Sequence, residues 1–115
     1  MKPLPLALAS LALLAGTADA SFYNGNDLHG WCGTTPAEPG YNSDRAQCMG
    51  YVVGLVDGLT GIGTAGDALC LEGKTAAQVT DVVAKNLRDH PAGRDRLGVD
   101  VVFFALLQAF PCDDD

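Results

Sequence analysis

Residues 42–62, NSDRAQCMGYVVGLVDGLTGI, decide the fold class. From a cap at Asn42 or Ser43, helical spacing puts Cys48, Tyr51, Val52, Leu55, Leu59 and Ile62 on one stripe, as in a helix that buries one face. Beside the stripe run Gly50, Gly54 and Gly58, spaced by four. Glycine inside a helix costs roughly 0.5–1 kcal/mol relative to alanine. Three in register therefore predict a tight crossing with another backbone that offsets the loss. Membrane packing is not the reason for this glycine ridge, because Arg45 and Asp57 interrupt the segment. Gly61, Gly63 and Gly66 then end the helix in a flexible connection to Cys70.

Upstream, Asn24-Gly25-Asn26-Asp27 supplies capping residues ahead of Leu28, His29, Trp31 and Cys32, giving a short first helix. Gly33 and the loop 34–41 terminate it, and Pro36, Pro39 and Gly40 keep that loop non-helical. Downstream, Thr75-Ala76-Ala77-Gln78 matches a capping box, in which Thr75 accepts from the amide of Gln78 while the Gln78 side chain reaches back. Val79, Val82, Val83 and Leu87 form the apolar face of this third helix, and Thr80, Asp81, Lys85, Arg88 and Asp89 its wet one. His90-Pro91 ends it, because proline disfavours helical geometry in the residue before it.

A last helix is expected from Pro91 or Arg94 to Phe110. Leu97, Val101, Phe104 and Ala105 form one of its stripes, and Val99, Val102, Phe103, Leu106 and Phe110 another. A helix apolar nearly all round is buried on all sides, either at the centre of the domain or partly against a second subunit, so a homodimer is expected. Strand signals are weak throughout, since no stretch alternates apolar and polar residues over more than a few positions. The expected fold is all-α, a small disulfide-stapled bundle of about four helices with a mostly buried C-terminal helix.

The chain opens with Lys2, runs through Leu4 to Ala15 almost entirely apolar, and reaches Ala18-Asp19-Ala20. This is the pattern of a secretory signal peptide over residues 1–20, cleaved after Ala20. Its apolar core is about a dozen residues, too few for the roughly twenty of a membrane-crossing helix, so no membrane association is expected after cleavage. The remaining domain, residues 21–115, is then exported. Export places the four cysteines Cys32, Cys48, Cys70 and Cys112 in an oxidising compartment, where an even count reads as a disulfide framework. Three pairings are open. Cys32 with Cys48 and Cys70 with Cys112 is preferred, because it pins the first helix to the second and ties the C-terminus to the loop after it.

Without Lys2 and Asp19 the exported domain has 13 acids and 6 bases, so the net charge stays at −7. Such a surface repels nucleic acid and favours a basic partner. The run Asp113 to Asp115 reads as a solvated terminus. His29 and His90, the two histidines, sit in no zinc spacing, and there is no Gly-x-Ser-x-Gly elbow or phosphate-binding glycine loop. Asp57, Asp81 and Asp100 show no spacing that selects a catalytic pair. No enzyme, metal or cofactor is expected, and the chain reads as a binding module. Its candidate partner-binding residues are the turn of His90, Arg94, Asp95 and Arg96, with Asp57 beside the glycine ridge.

Phe22, Gly25-Asn26-Asp27-Leu28, Trp31-Cys32, Cys48-Met49-Gly50-Tyr51-Val52, Val56-Asp57-Gly58 and Leu69-Cys70 follow in an order that resembles one family. The match continues through Thr75, Gln78-Val79, Leu87-Arg88-Asp89-His90-Pro91 and Phe110-Pro111-Cys112. It is similar to the Rap/Tai family of periplasmic immunity proteins of type VI secretion. The resemblance implies an all-α, often dimeric protein of the periplasm that binds a peptidoglycan-cleaving amidase effector and blocks its active-site cleft. No contact residue is carried over, since the family's inhibitory loop has no motif that aligns here. From another class, the same helices would suit a periplasmic stress chaperone or an orphan protein-binding module.

Overall fold

A computed structural model describes residues 22–62 and 66–112. The expected leader, Gly63 and the tail 113–115 lie outside the described residues. Among the described residues four α-helices carry the fold: α1 Gly25–Cys32, α2 Tyr41–Ile62, α3 Ala76–Asp89 and α4 Gly98–Ala109, with single 3-10 turns at Gly66–Ala68 and Pro91–Gly93. The domain is all-α. Among the described residues no helix is long and apolar enough to cross a membrane.

Local chemistry explains most of the boundaries. At α1 the Asn24 side chain accepts from the Asp27 amide (3.0 Å) while the Asp27 carboxylate accepts from the Asn24 amide (2.9 Å), a complete capping box. At α3 the Thr75 hydroxyl accepts from the Gln78 amide (3.0 Å), but the reciprocal bond expected from the Gln78 side chain is not made. α2 begins at Tyr41, ahead of the Asn42 or Ser43 cap, because Gly40 turns the chain with a φ of 84° and its carbonyl accepts from the Asp44 amide.

The last helix starts later than its periodicity suggests. After the Pro91–Gly93 turn, the strip 94–97 is drawn onto the N-terminus of α1 instead of continuing as helix. The amides of Gly25 and Asn26 donate to the carbonyls of Arg96 (3.0 Å) and Arg94 (2.7 Å), and that of Gly98 to Tyr23 (2.8 Å). These bonds satisfy donors that a helix start leaves open.

Leu28, Cys48, Val52, Thr80, Val83, Leu87, Val102 and Leu106 form the fully buried centre, to which every helix contributes. Thr80 was expected on the wet face of its helix, yet it is buried, because its hydroxyl donates to the Ala76 carbonyl (2.7 Å) and leaves no donor unpaired. Two bridges staple the body, Cys32–Cys48 and Cys70–Cys112. Beside the second, the Cys70 amide donates to the Phe110 carbonyl (2.9 Å) and that of Cys112 to Ala68 (3.3 Å).

α4 is mostly buried, as expected, whereas the packing expected of the glycine ridge is not found within the single chain. α4 is not buried on all sides: it packs mainly on α3 through Val101, Val102, Ala105 and Leu106, while Phe104 and Val99 remain 51% and 38% exposed. The other helices leave that side of α4 uncovered. Nor does another backbone cross the glycine ridge: Gly50, Gly54 and Gly58 are exposed, and a Cβ placed on any of them meets nothing within 4 Å. The close approaches occur at Gly25, where a Cβ would stand 2.6 Å from the Arg94 carbonyl oxygen, and at Gly98, against the Tyr51 hydroxyl and the Tyr23 carbonyl.

Candidate functional site

α3 buries the stripe Val79, Thr80, Val83, Ala84 and Leu87, which leaves two exposed flanks. One flank, with α4 and the 3-10 turn opposite, borders a trough of about 440 Å³ lined by Asn86, Asp89, His90, Arg96, Phe104 and Gln108. It continues along the helix seam past Val82, Lys85, Ala105 and Ala109. The arrangement follows from the sequence: residues 82, 85, 86 and 89 recur at helical spacing on one side of α3, and 104, 105 and 108 do so on α4.

Lys85 and Asp89 form an exposed pair across one turn (2.5 Å), and this hydrogen bond is the main reason the Asp89 carboxyl lies below its ordinary range. Such exposed pairs add little to stability and stay available to a partner. His90 Nδ1 lies 3.0 Å from the Asn86 carbonyl; a carbonyl only accepts, so Nδ1 carries the proton there. Phe104, half exposed, gives the trough an apolar rim. Donors, acceptors and an aromatic edge on two packed helices are means of protein recognition.

The structure treats the five sequence candidates differently. His90 and Arg96 come together in the trough. Arg94 serves the fold: its Nε donates to the Leu87 carbonyl (2.6 Å) and a terminal nitrogen to that of Arg88 (3.4 Å), capping the open end of α3. Asp95 is exposed and does not line the trough. Asp57 lies on a separate groove of about 180 Å³ between α2 and the start of α3, with Val53, Val56, Leu71, Lys74 and Val79. Phe104 and Gln108 were not singled out from the sequence, and the signal available was the surplus of apolar positions on α4 over what one partner helix can cover.

A third, apolar groove of about 170 Å³ is formed by Leu55 and Leu59 of α2 with Val99, Asp100 and Phe103 of α4. Among the described residues no group of three or more His, Cys, Asp or Glu side chains could hold a metal ion. The sequence profile of the Rap1a immunity proteins matches residues 24–112. No curated protein and no solved structure gives a match.

Proposed function

The chain belongs to the Rap1a immunity protein family, and from that membership we propose that it is a periplasmic, non-catalytic immunity protein that binds and inhibits a peptidoglycan amidase effector of type VI secretion. The match from residue 24 to residue 112, nearly the whole of the described chain, is the observation that carries the reading. Membership implies a protein partner, the effector. Two disulfides in so short a domain suit an exported scaffold, since they lend rigidity where the core is small. Rigidity in turn lowers the ordering cost of binding.

Within this reading, the trough of His90, Arg96 and Phe104 receives the effector, while Asp95, exposed outside it, and Asp57, on its own groove, tune encounter with a basic surface. A net charge of −7 favours such a partner. Two copies associate through the groove of Leu55, Leu59, Val99 and Phe103, which covers Val99 of α4 and leaves Phe104 to the trough.

The test mixes the oxidised protein with amidase effectors and follows cleavage of purified peptidoglycan. A stoichiometric complex with loss of hydrolysis is expected, and Phe104→Glu or Arg96→Glu should weaken inhibition at least tenfold without changing the unfolding temperature. Inhibition untouched by both variants removes the trough from the interface. Binding to no amidase at all refutes the function.

The exposed Phe104 and Val99 favour one second reading, a periplasmic chaperone that offers apolar surface when a dimer opens. Sedimentation between neutral and strongly acidic pH discriminates: a chaperone of this kind dissociates and then suppresses aggregation of unfolded clients, whereas an inhibitor does neither.

A further inference from the structure

The other flank of α3 borders a second cleft, of about 320 Å³, where three helices meet. α1 contributes Trp31, α2 contributes Tyr41 and Arg45, and α3 contributes Asp81 and Arg88. The Cys32–Cys48 bridge locks α1 to α2 immediately beside it. Trp31 is held by an edge-on contact with Tyr23, 4.9 Å between ring centres. Arg45 is held by Asp81, 2.9 Å away, with its side chain three-quarters buried. The loop over the cleft is fixed by the Thr34 hydroxyl, which donates to Asp44 (2.7 Å).

Each guanidinium carries five N–H donors. Among the described residues Asp81 is the one acceptor that either side chain of Arg45 or Arg88 engages; Arg88 has none. A strongly acidic chain thus places two of its arginines, most of whose N–H groups meet no protein acceptor, beside an indole and a phenol. The Arg88 charge is also felt at His29, whose imidazole is held below its ordinary value by burial, then by Arg94 and Arg88.

We propose that this cleft binds a short peptide ending in a free carboxylate, which Arg88 and Arg45 receive while Trp31 and Tyr41 cover the peptide's apolar part. The guanidinium fork matches a carboxylate in a two-bond geometry. Asp81 and Asp44 offset the two guanidinium charges, so a single negative charge fits better than a phosphate dianion. The volume is at the lower end of ligand sites, about 300–1,000 Å³, which suits a peptide of a few residues. The cleft lies across α3 from the trough and does not rest on the immunity reading.

Trp31 is the sole tryptophan, so its fluorescence reports on the cleft directly. The oxidised chain is titrated with N-acetyl-alanyl-alanine and, separately, with its C-terminal amide. The acid should give a saturable change, at least tenfold weaker for the amide, at least tenfold weaker in Arg88→Gln, and reduced by added salt. Thermal unfolding of Arg88→Gln should change little, because Arg88 is exposed and, among the described residues, its side chain forms no ion pair or hydrogen bond; it acts on His29 and Asp89 only through its charge. No saturable change, an equal response to acid and amide, full affinity in Arg88→Gln, or displacement by inorganic phosphate more readily than by free acid would each overturn the proposal.

Discussion

Gly25 shows how one position can join two distant segments. It opens α1, its amide donates to Arg96, and a Cβ there would meet the oxygen and Cα of Arg94 at 2.6 and 2.7 Å. Both are backbone atoms and cannot rotate away. Gly25→Ala is expected to destabilise the protein by about 1–3 kcal/mol, the usual range for overpacking, measured by urea unfolding. His29 carries a pH dependence. Burial, then the charges of Arg94 and Arg88, hold its imidazole below the ordinary value of 6.5. The folded chain therefore binds that proton more weakly than the unfolded one, and stability rises with pH wherever the unfolded state holds more protons. The contribution of His29 is complete above about pH 6.5 and is lost as pH falls through its lowered folded value. The urea midpoint should fall on acidification below neutrality, and His29→Gln should flatten that part of the curve. An unchanged slope would remove His29 as the cause.

At the scale of elements, the glycine ridge of α2 reverses its sequence reading. Gly50, Gly54 and Gly58 were expected to permit a tight crossing, and in the single chain they face open space. Gly54→Ala should then stabilise the protein by about 0.5–1 kcal/mol, a rise of several degrees in a domain of this size. A fall in calorimetric Tm would show that another surface packs there. Helix identities were legible in the sequence, because caps and periodicity act within one or two turns: Asn24, Thr75 and Pro91 mark real boundaries. The start of α4 was not legible, since what holds residues 94–97 out of the helix is hydrogen bonding to α1, some seventy residues away. Thr80 was misplaced for a related reason. A hydroxyl that satisfies itself on the Ala76 carbonyl can be buried, and composition alone counts it as polar.

Across the whole molecule the two bridges divide the stabilising work unequally. Cys32–Cys48 spans 16 positions and Cys70–Cys112 spans 42. On the chain-entropy account their removal should cost about 3 and about 4 kcal/mol respectively. Replacing Cys70 and Cys112 by Ser should therefore lower the Tm more than replacing Cys32 and Cys48, although the latter pair borders the Trp31 cleft and should do more harm there. Equal losses would indicate that residual structure in the unfolded chain, not loop length, sets the effect. Of the candidate residues, His90 and Arg96 line one trough, whereas Arg94, grouped with them in the sequence, is used by the fold to close α3.

What the sequence determined by itself was local or compositional: an all-α chain, its helix caps, a disulfide framework and a strongly acidic balance. Its ordered cysteine contexts also pointed to the family that the profile match shows. Only the tertiary structure decided that both flanks of α3 stay open, one as the His90 trough and the other as the Arg88 cleft, and that α4 keeps Phe104 and Val99 uncovered. The physical reason is that helical periodicity states which residues share a face, whereas what covers that face depends on the lengths and crossings of the other helices.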